Sequence, residues 1–188
     1  MKNKKPGAVR IIGGKWRGTR LPVPDLSGLR PSGDRGRETL FNWLQMHIRG
    51  SRCADLFAGS GALGLEAASR GAAEVVLVEK SAPAARLIAD SLIRLKAEQV
   101  ELVQSDALDW LRSRQAESLD IVFVDPPFGS GLEGHSLELL AAGNCVSANG
   151  LVYIETARET PATVPGPGWK IVQEKTLGEV RMMLLKKY

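Results

Sequence analysis

The chain has 188 residues, 44% apolar and 24% charged, with a net charge of +4, which suits one domain with a real core and a short extension. No apolar run approaches the roughly 18 residues of a membrane span, and the opening Met1-Lys2-Asn3-Lys4-Lys5-Pro6 has no apolar segment behind it, which argues against a secretory signal. Cys53 and Cys145 stand far apart in apolar surroundings, so neither a metal site nor a disulfide framework is expected, and both read as reduced core residues of a cytoplasmic protein.

Charge is uneven along the chain. Residues 1–40 carry +7 and residues 41–188 carry −3, so a basic arm on a mildly acidic body suggests a polyanionic partner. A solubilising tail would share that charge, but residues 9–21 read as strand, Gly13-Gly14 turn and strand. They also carry apolar side chains that need burial, unlike a disordered tail. Within this hairpin Arg10, Lys15, Arg17 and Arg20 are candidate phosphate contacts. Trp16 either stacks on a base or packs the hairpin onto the body. The expected division is a basic arm at 1–28 and a catalytic domain at 29–188.

After the extended Pro22-Val23-Pro24, residues 29–38 form a polar, Gly-rich loop. Asp34 is expected to cap a helix running to about residue 47, with Leu40, Phe41, Trp43, Leu44 and Ile48 at helical spacing. From residue 52 the pattern alternates. Strands are expected at 53–57, 74–78, 100–104, 119–124 and 150–154, with helices at 62–70, 82–96, 107–114 and 132–142. Short apolar strands alternating with helices imply a parallel sheet covered on both faces. Alternation fails after residue 154, and strands at 169–175 and 180–185 read as an antiparallel hairpin.

The first core strand runs into Asp55-Leu56-Phe57-Ala58-Gly59-Ser60-Gly61-Ala62-Leu63-Gly64. Gly59 and Gly61 permit close backbone approach to a ligand, a weak signal alone. Glu79, followed by Lys80, ends the second strand twenty positions after Gly59, where an acid is expected to hold a ribose diol. Asp55 at the loop's mouth disfavours a pyrophosphate but suits an ammonium. Asp106, followed by Ala107, ends the third strand and can accept from an adenine amine, although such a residue is commonly a plain helix cap. Three acids ending successive strands suit the ammonium, ribose and adenine of S-adenosylmethionine.

Asp125-Pro126-Pro127-Phe128 ends the fourth strand. Two prolines fix φ and remove two backbone donors, leaving a stiff turn that presents a carboxylate, carbonyls and an aromatic face. That set suits a flat ring bearing an amine, such as a nucleobase. His47 and His135 have no acid or cysteine partner in motif spacing and are not expected to be ligands.

The glycine-loop motif, the acids after strands two and three, and the Asp-Pro-Pro-Phe tetrad resemble class I S-adenosylmethionine-dependent methyltransferases that act on amines. Arg10-Ile11-Ile12-Gly13-Gly14-Lys15-Trp16-Arg17-Gly18, Leu29-Arg30-Pro31 and 37–44 extend the similarity to the RsmD family of 16S rRNA guanine-N2 methyltransferases. The resemblance implies a Rossmann-like α/β fold, a seven-stranded mostly parallel sheet with an antiparallel C-terminal hairpin, and a small N-terminal hairpin. It implies S-adenosylmethionine as donor, S-adenosylhomocysteine as product and no metal. It also implies cofactor contacts from Phe57, Ala58 and Ser60, and RNA contacts from Arg30, Arg35 and Arg37. The partner is then 16S rRNA, within the small subunit or an assembly intermediate, and the enzyme a cytoplasmic monomer. Where that family usually has Thr-Thr and a larger apolar residue, this chain has Ser32-Gly33 and Gly36. Asp125 either accepts the amine proton or only positions the amine. A DNA amino-methyltransferase is disfavoured by the lack of room for a target-recognition domain. A non-catalytic assembly factor is disfavoured by the intact acids, and a nicotinamide oxidoreductase by Asp55.

Overall fold

The computed structural model describes residues 7–23, 33–160 and 168–187. Arg30 and the rest of 24–32 lie outside the described residues. Two short strands, β1 (Ala8–Arg10) and β2 (Arg20–Pro22), pair antiparallel with Val9 opposite Leu21. Then come α1 (Asp34–Trp43), β3 (Arg52–Asp55), α2 (Ala62–Ser69), β4 (Glu74–Val78), α3 (Ala82–Leu95), β5 (Val100–Val103) and α4 (Ala107–Arg112). They are followed by β6 (Leu119–Val124), α5 (Leu132–Ala142), β7 (Val146–Ala157), β8 (Trp169–Leu177) and β9 (Val180–Lys187).

The main sheet has the order β5-β4-β3-β6-β7-β9-β8. Strands β3 to β7 pair in parallel, whereas β7–β9 and β9–β8 are antiparallel. The order reverses beside β3, the first core strand. In such open sheets ligands bind beyond the carboxyl ends of the strands at the reversal.

Alternate residues of each strand feed two cores, as the two-residue period of a strand demands. One core joins Cys53, Leu77, Phe123 and Tyr153 to α1, α2, α3 and the N-terminal hairpin through Leu40, Phe41, Leu65, Ile88, Ile11 and Leu21. The other joins Ala54, Val78, Val122 and Ile154 to Trp110, Leu111, Leu137 and Leu140 of α4 and α5. Asp120, the one acid at the start of β6, pairs with the Arg52 guanidinium at 2.9 Å. Hydrogen bonding from Arg52 holds its carboxyl down at about 2.

The structure shifts several boundaries. Helix α1 ends at Trp43, not near 47. Leu44 and Ile48 remain buried in the turns that follow, so helical spacing of apolar residues outlasts the helix. Asp34 is the first helical residue and Gly33 the cap position, without a side-chain cap. Strand β3 stops at Asp55 because the chain crosses the sheet ends: Leu56 N–H donates to Phe123 O and Ala58 N–H to Val78 O. The N-terminal hairpin does not turn at Gly13-Gly14. Residues 11–19 form a longer connection that docks on α2, where Lys15 N–H donates to Ser69 O at 2.8 Å and Trp16 N–H to Ser69 Oγ at 2.9 Å. Gly14 has φ +74° there, and a Cβ on it would lie 1.8 Å from Ser69 O. The glycine thus serves close approach and not a hairpin tip.

Candidate active site

A cavity of about 870 Å³ opens at the carboxyl ends of β3 to β7. Its floor is the loop that Asp55 begins. Asp55 is 1% exposed. Its Oδ2 accepts from Gly64 N–H at 3.0 Å, while Oδ1 is buried and, among the described residues, has no partner in good hydrogen-bond geometry, the Phe57 N–H only adding a weaker pull on the carboxylate. Burial pushes this carboxyl up to about 7; the Gly64 hydrogen bond opposes the rise, the nearby Glu79 charge adds to it, and the Phe57 N–H opposes it more weakly. A buried acceptor left over in a cavity wall calls for a cationic or donor group of a ligand. Gly64 also brings α2 against β4, for a Cβ there would meet Leu77 Cδ2 at 2.1 Å.

Glu79 stands at the end of β4. Its Oε2 accepts from Gly59 N–H and its Oε1 from Ser81 N–H, both at 2.7 Å. One side chain therefore shapes the glycine loop and starts the turn into α3. Each carboxylate oxygen keeps a second lone pair directed elsewhere. Phe57, Ala58, Gly59 and Ser60 line the cavity; Gly61 does not, and forms the left-handed turn that starts α2.

Asp106 is the cap of α4, its Oδ1 accepting from Leu108 N–H at 2.9 Å and Asp109 N–H at 3.4 Å. Its Oδ2 meets Lys80 Nζ at 3.1 Å, and this hydrogen bond lowers its pKa. The capping role seen in the sequence as the plain alternative is therefore real, yet Lys80, Asp106 and Ala107 all line the cavity.

Across the cavity, Asp125, Pro126, Pro127 and Phe128 follow β6. Asp125 is half-buried, Pro126 is buried and Phe128 is 43% exposed. Pro127 O accepts from Ser130 N–H at 3.2 Å, which closes the turn. The structure thus brings the tetrad and the three strand-end acids around one space.

Comparison with known proteins agrees with this geometry. The family model described as conserved hypothetical protein 95 matches residues 9–186. The ribosomal RNA small subunit methyltransferase D of Haemophilus influenzae is 44% identical over 95% of this chain and 93% of its own length. The protein of the same name from Escherichia coli K12 is 43% identical over 98% and 95%. The chain belongs to the RsmD family. Among solved structures, the Escherichia coli protein yhhF, described as a candidate methyltransferase, superposes with a TM-score of 0.88 at 43% identity, covering 96% of this chain and 98% of that one. A candidate methylase from Haemophilus influenzae gives 0.83 at 40% identity, over 96% and 99%. The fold is the Rossmann-like methyltransferase fold.

In this RsmD-family chain the basic residues separate into two groups. Arg10, Lys15, Arg17, Arg20 and Arg35 are exposed. Arg10 lies 3.6 Å from Asp34, and Arg35 also lines the cavity. Trp16 and Arg37 are corrections to the expected RNA surface. Trp16 is 7% exposed and packs the docked loop into the core, leaving no face for a base. Arg37 is 1% exposed; its Nη2 donates to Asp34 Oδ1 at 2.6 Å and its Nη1 lies 3.9 Å from Glu66 Oε2. Its Nε and Nη1 are buried without a hydrogen-bond partner among the described residues, so one hydrogen bond to Asp34 and the charge of Glu66 hold a guanidinium that is withdrawn from any surface phosphate.

Two acids escaped the sequence reading. Glu66, fully buried on α2, accepts from Ile12 N–H at 2.7 Å, Gly13 N–H at 2.8 Å and Arg70 Nε at 2.7 Å. It fastens the N-terminal hairpin to the body. Glu155 on β7 lines the cavity at 6% exposure and accepts from the Tyr153 hydroxyl at 2.5 Å. Its signal was present: it stands just past the expected 150–154 strand, the kind of position that singled out Glu79 and Asp106.

Proposed function

We propose that the protein transfers a methyl group from S-adenosylmethionine to the exocyclic N2 of a guanine in small-subunit rRNA. The observation that carries this reading is the shared cavity, with the buried Asp55 carboxylate, held by backbone N–H groups and no cation among the described residues, on one side and Asp125-Pro126-Pro127-Phe128 on the other. The residues fit the cofactor. Asp55 would hold the methionine ammonium, Glu79 the ribose diol and Asp106 the adenine amine, with the backbone of 57–60 as the cradle. When bound, S-adenosylmethionine supplies an electrophilic sulfonium methyl and departs as S-adenosylhomocysteine.

The chain's own residues handle the base. A guanine N2 lone pair is delocalised into the ring and is a poor nucleophile. Asp125 and the Pro126 carbonyl accept the two N2–H bonds and localise that pair as the nitrogen pyramidalises. The half-buried Asp125 carboxylate stabilises the positive charge that develops on nitrogen, an electrostatic effect strengthened by exclusion of water; the methylated nitrogen then gives up its extra proton, either to Asp125 or directly to solvent, and its lone pair returns to the ring. Phe128, partly exposed at the cavity mouth, stacks on the base and holds it in line. The base enters flipped out or already unpaired, at a cost of about a few kcal/mol in a duplex. Arg10, Lys15, Arg17, Arg20 and Arg35 face solvent and hold phosphates, a role that the family resemblance also gives to Arg30; the arm at 1–28 serves RNA contact and the domain at 29–188 serves chemistry. So short an arm offers little surface for reading sequence, which favours structured 16S rRNA within the subunit or an assembly intermediate. The enzyme works as a cytoplasmic monomer without metal.

The test is incubation with labelled S-adenosylmethionine and either rRNA, small subunits or duplex DNA, followed by mass spectrometry of the modified base. N2-methylguanine in small-subunit rRNA is expected. Label only in DNA, or on adenine, would overturn the proposal, as would tight RNA binding with no transfer.

A further inference from the structure

Glu155 has no part in the chemistry so far described, yet its placement is specific. Strands β6 and β7 run in parallel with Val124 opposite Ile154. Asp125 and Glu155 are therefore the next residues on neighbouring strands, and strands of a sheet lie about 4.8 Å apart. Both follow residues of the same sheet face, since Phe123 and Tyr153, two positions earlier on each strand, share one core. Both line the same cavity. On its other side Glu155 pairs across β9 with Met182, another cavity residue. Two carboxylates thus stand side by side where one edge of a flat base would lie.

We infer that Glu155 reads the target base by accepting the guanine N1–H, while the neighbouring N2 amine is held at Asp125. The inference rests on the guanine-N2 reading above and deepens it. Guanine offers adjacent donors at N1 and N2 along its Watson–Crick edge. Adenine presents a lone pair at N1, and a carboxylate facing that lone pair is repulsive. The site then selects guanine by attraction to one base and repulsion of the other. Burial sharpens the choice, because a desolvated acceptor left without its donor costs more than one in water. The Tyr153 hydroxyl donates to Glu155 Oε1 at 2.5 Å and engages that one oxygen. A carboxylate has roughly four acceptor sites, so a bond from the base is compatible with contacts that Glu155 already makes, the Tyr153 hydroxyl among them.

The base analogue 2-aminopurine isolates the N1 contact. It keeps the N2 amine but carries a lone pair at N1. Small subunits reconstituted with rRNA bearing guanosine or 2-aminopurine riboside at the methylated position supply the substrates. The readout is the ratio of kcat/KM for guanine to that for 2-aminopurine. Wild type is expected to favour guanine strongly. In Glu155→Gln the amide oxygen still accepts from Tyr153, while its NH2 can donate to the N1 of 2-aminopurine. The ratio should fall by about tenfold or more.

Tyr153→Phe distinguishes reading from packing. It removes the hydroxyl and leaves the Glu155 carboxylate, so both substrates should slow with the ratio within about threefold of wild type. Thermal melts of each variant show that the fold is kept. N2 methylation of guanine with an unchanged ratio in Glu155→Gln would overturn this inference and leave the proposed reaction standing. An equal fall of the ratio in Tyr153→Phe would also overturn it, by making Glu155 a packing partner. Methylation at an atom other than guanine N2 would overturn both.

Discussion

Arg37 Nη1 and Glu66 Oε2 face each other at 3.9 Å, with both side chains withdrawn from solvent. Glu66 also takes the amides of Ile12 and Gly13 and the guanidinium of Arg70. Removing one member of a buried charged set leaves the others uncompensated, at a typical cost of about 3–5 kcal/mol. Glu66→Ala should therefore destabilise the protein by about that amount in urea unfolding. Hydrogen exchange should show the Ile12 and Gly13 amides losing protection before the sheet does.

Asp55 predicts a pH dependence. Its folded pKa is raised to about 7 by burial, against roughly 3.9 in an unfolded chain. The folded protein then binds more protons than the unfolded chain between those values, so this group's effect is loss of stability as pH rises from about 4 to 7. A cationic ligand group reverses the balance by favouring the ionised form. S-adenosylhomocysteine affinity, measured by calorimetry, should rise between about pH 5.5 and 7 with proton release, then flatten. Asp55→Asn should bind at least about tenfold more weakly and lose this dependence.

Asp125→Ala should leave S-adenosylhomocysteine affinity within about threefold of wild type and lower kcat by about 10²–10³, the usual cost of removing one electrostatic contact to a transition state. Calorimetry and single-turnover methyl transfer separate the two quantities. Loss of cofactor binding would place Asp125 on the wrong side of the cavity.

Exposed and buried arginines should behave differently. Reversing Arg10 and Arg17 to Glu should weaken RNA binding and lower the slope of log affinity against log salt by about 1.5–2, close to one counterion per contact. Arg37→Ala should leave the slope unchanged and lower the melting temperature, because that guanidinium is structural. Filter binding across a salt series with parallel melts distinguishes the outcomes.

Much of this was legible because strands with apolar runs and acids at their ends announce a parallel sheet and its ligand edge. Asp55, Glu79, Asp106 and the Asp125 tetrad all reach one cavity. What was hidden depended on three-dimensional partners. Arg37 looks like a surface cation until Glu66, 29 positions later, is folded against it. Trp16 could have stacked or packed, and only the docking of residues 11–19 on α2 decides for packing. The Gly13-Gly14 pair suggested a hairpin tip because local turn rules say nothing of Ser69, whose backbone crowds Gly14. Glu155 stands one residue past the expected strand, as Glu79 does, but no glycine loop or proline turn marks it, and only the pairing of β7 with β6 and β9 sets it beside Asp125.

Helix α2 is eight residues long, about 12 Å at 1.5 Å per residue. Its first turn grows out of the glycine loop, and its last turn carries Glu66 and Ser69, which grip the N-terminal hairpin. The hairpin and the glycine loop are therefore the two ends of one short rigid ruler. If Arg10 or Arg17 holds a phosphate as proposed, that phosphate would sit at a set span from the glycine loop, and the position of the modified base along the strand would be measured from the grip and not spelled out base by base.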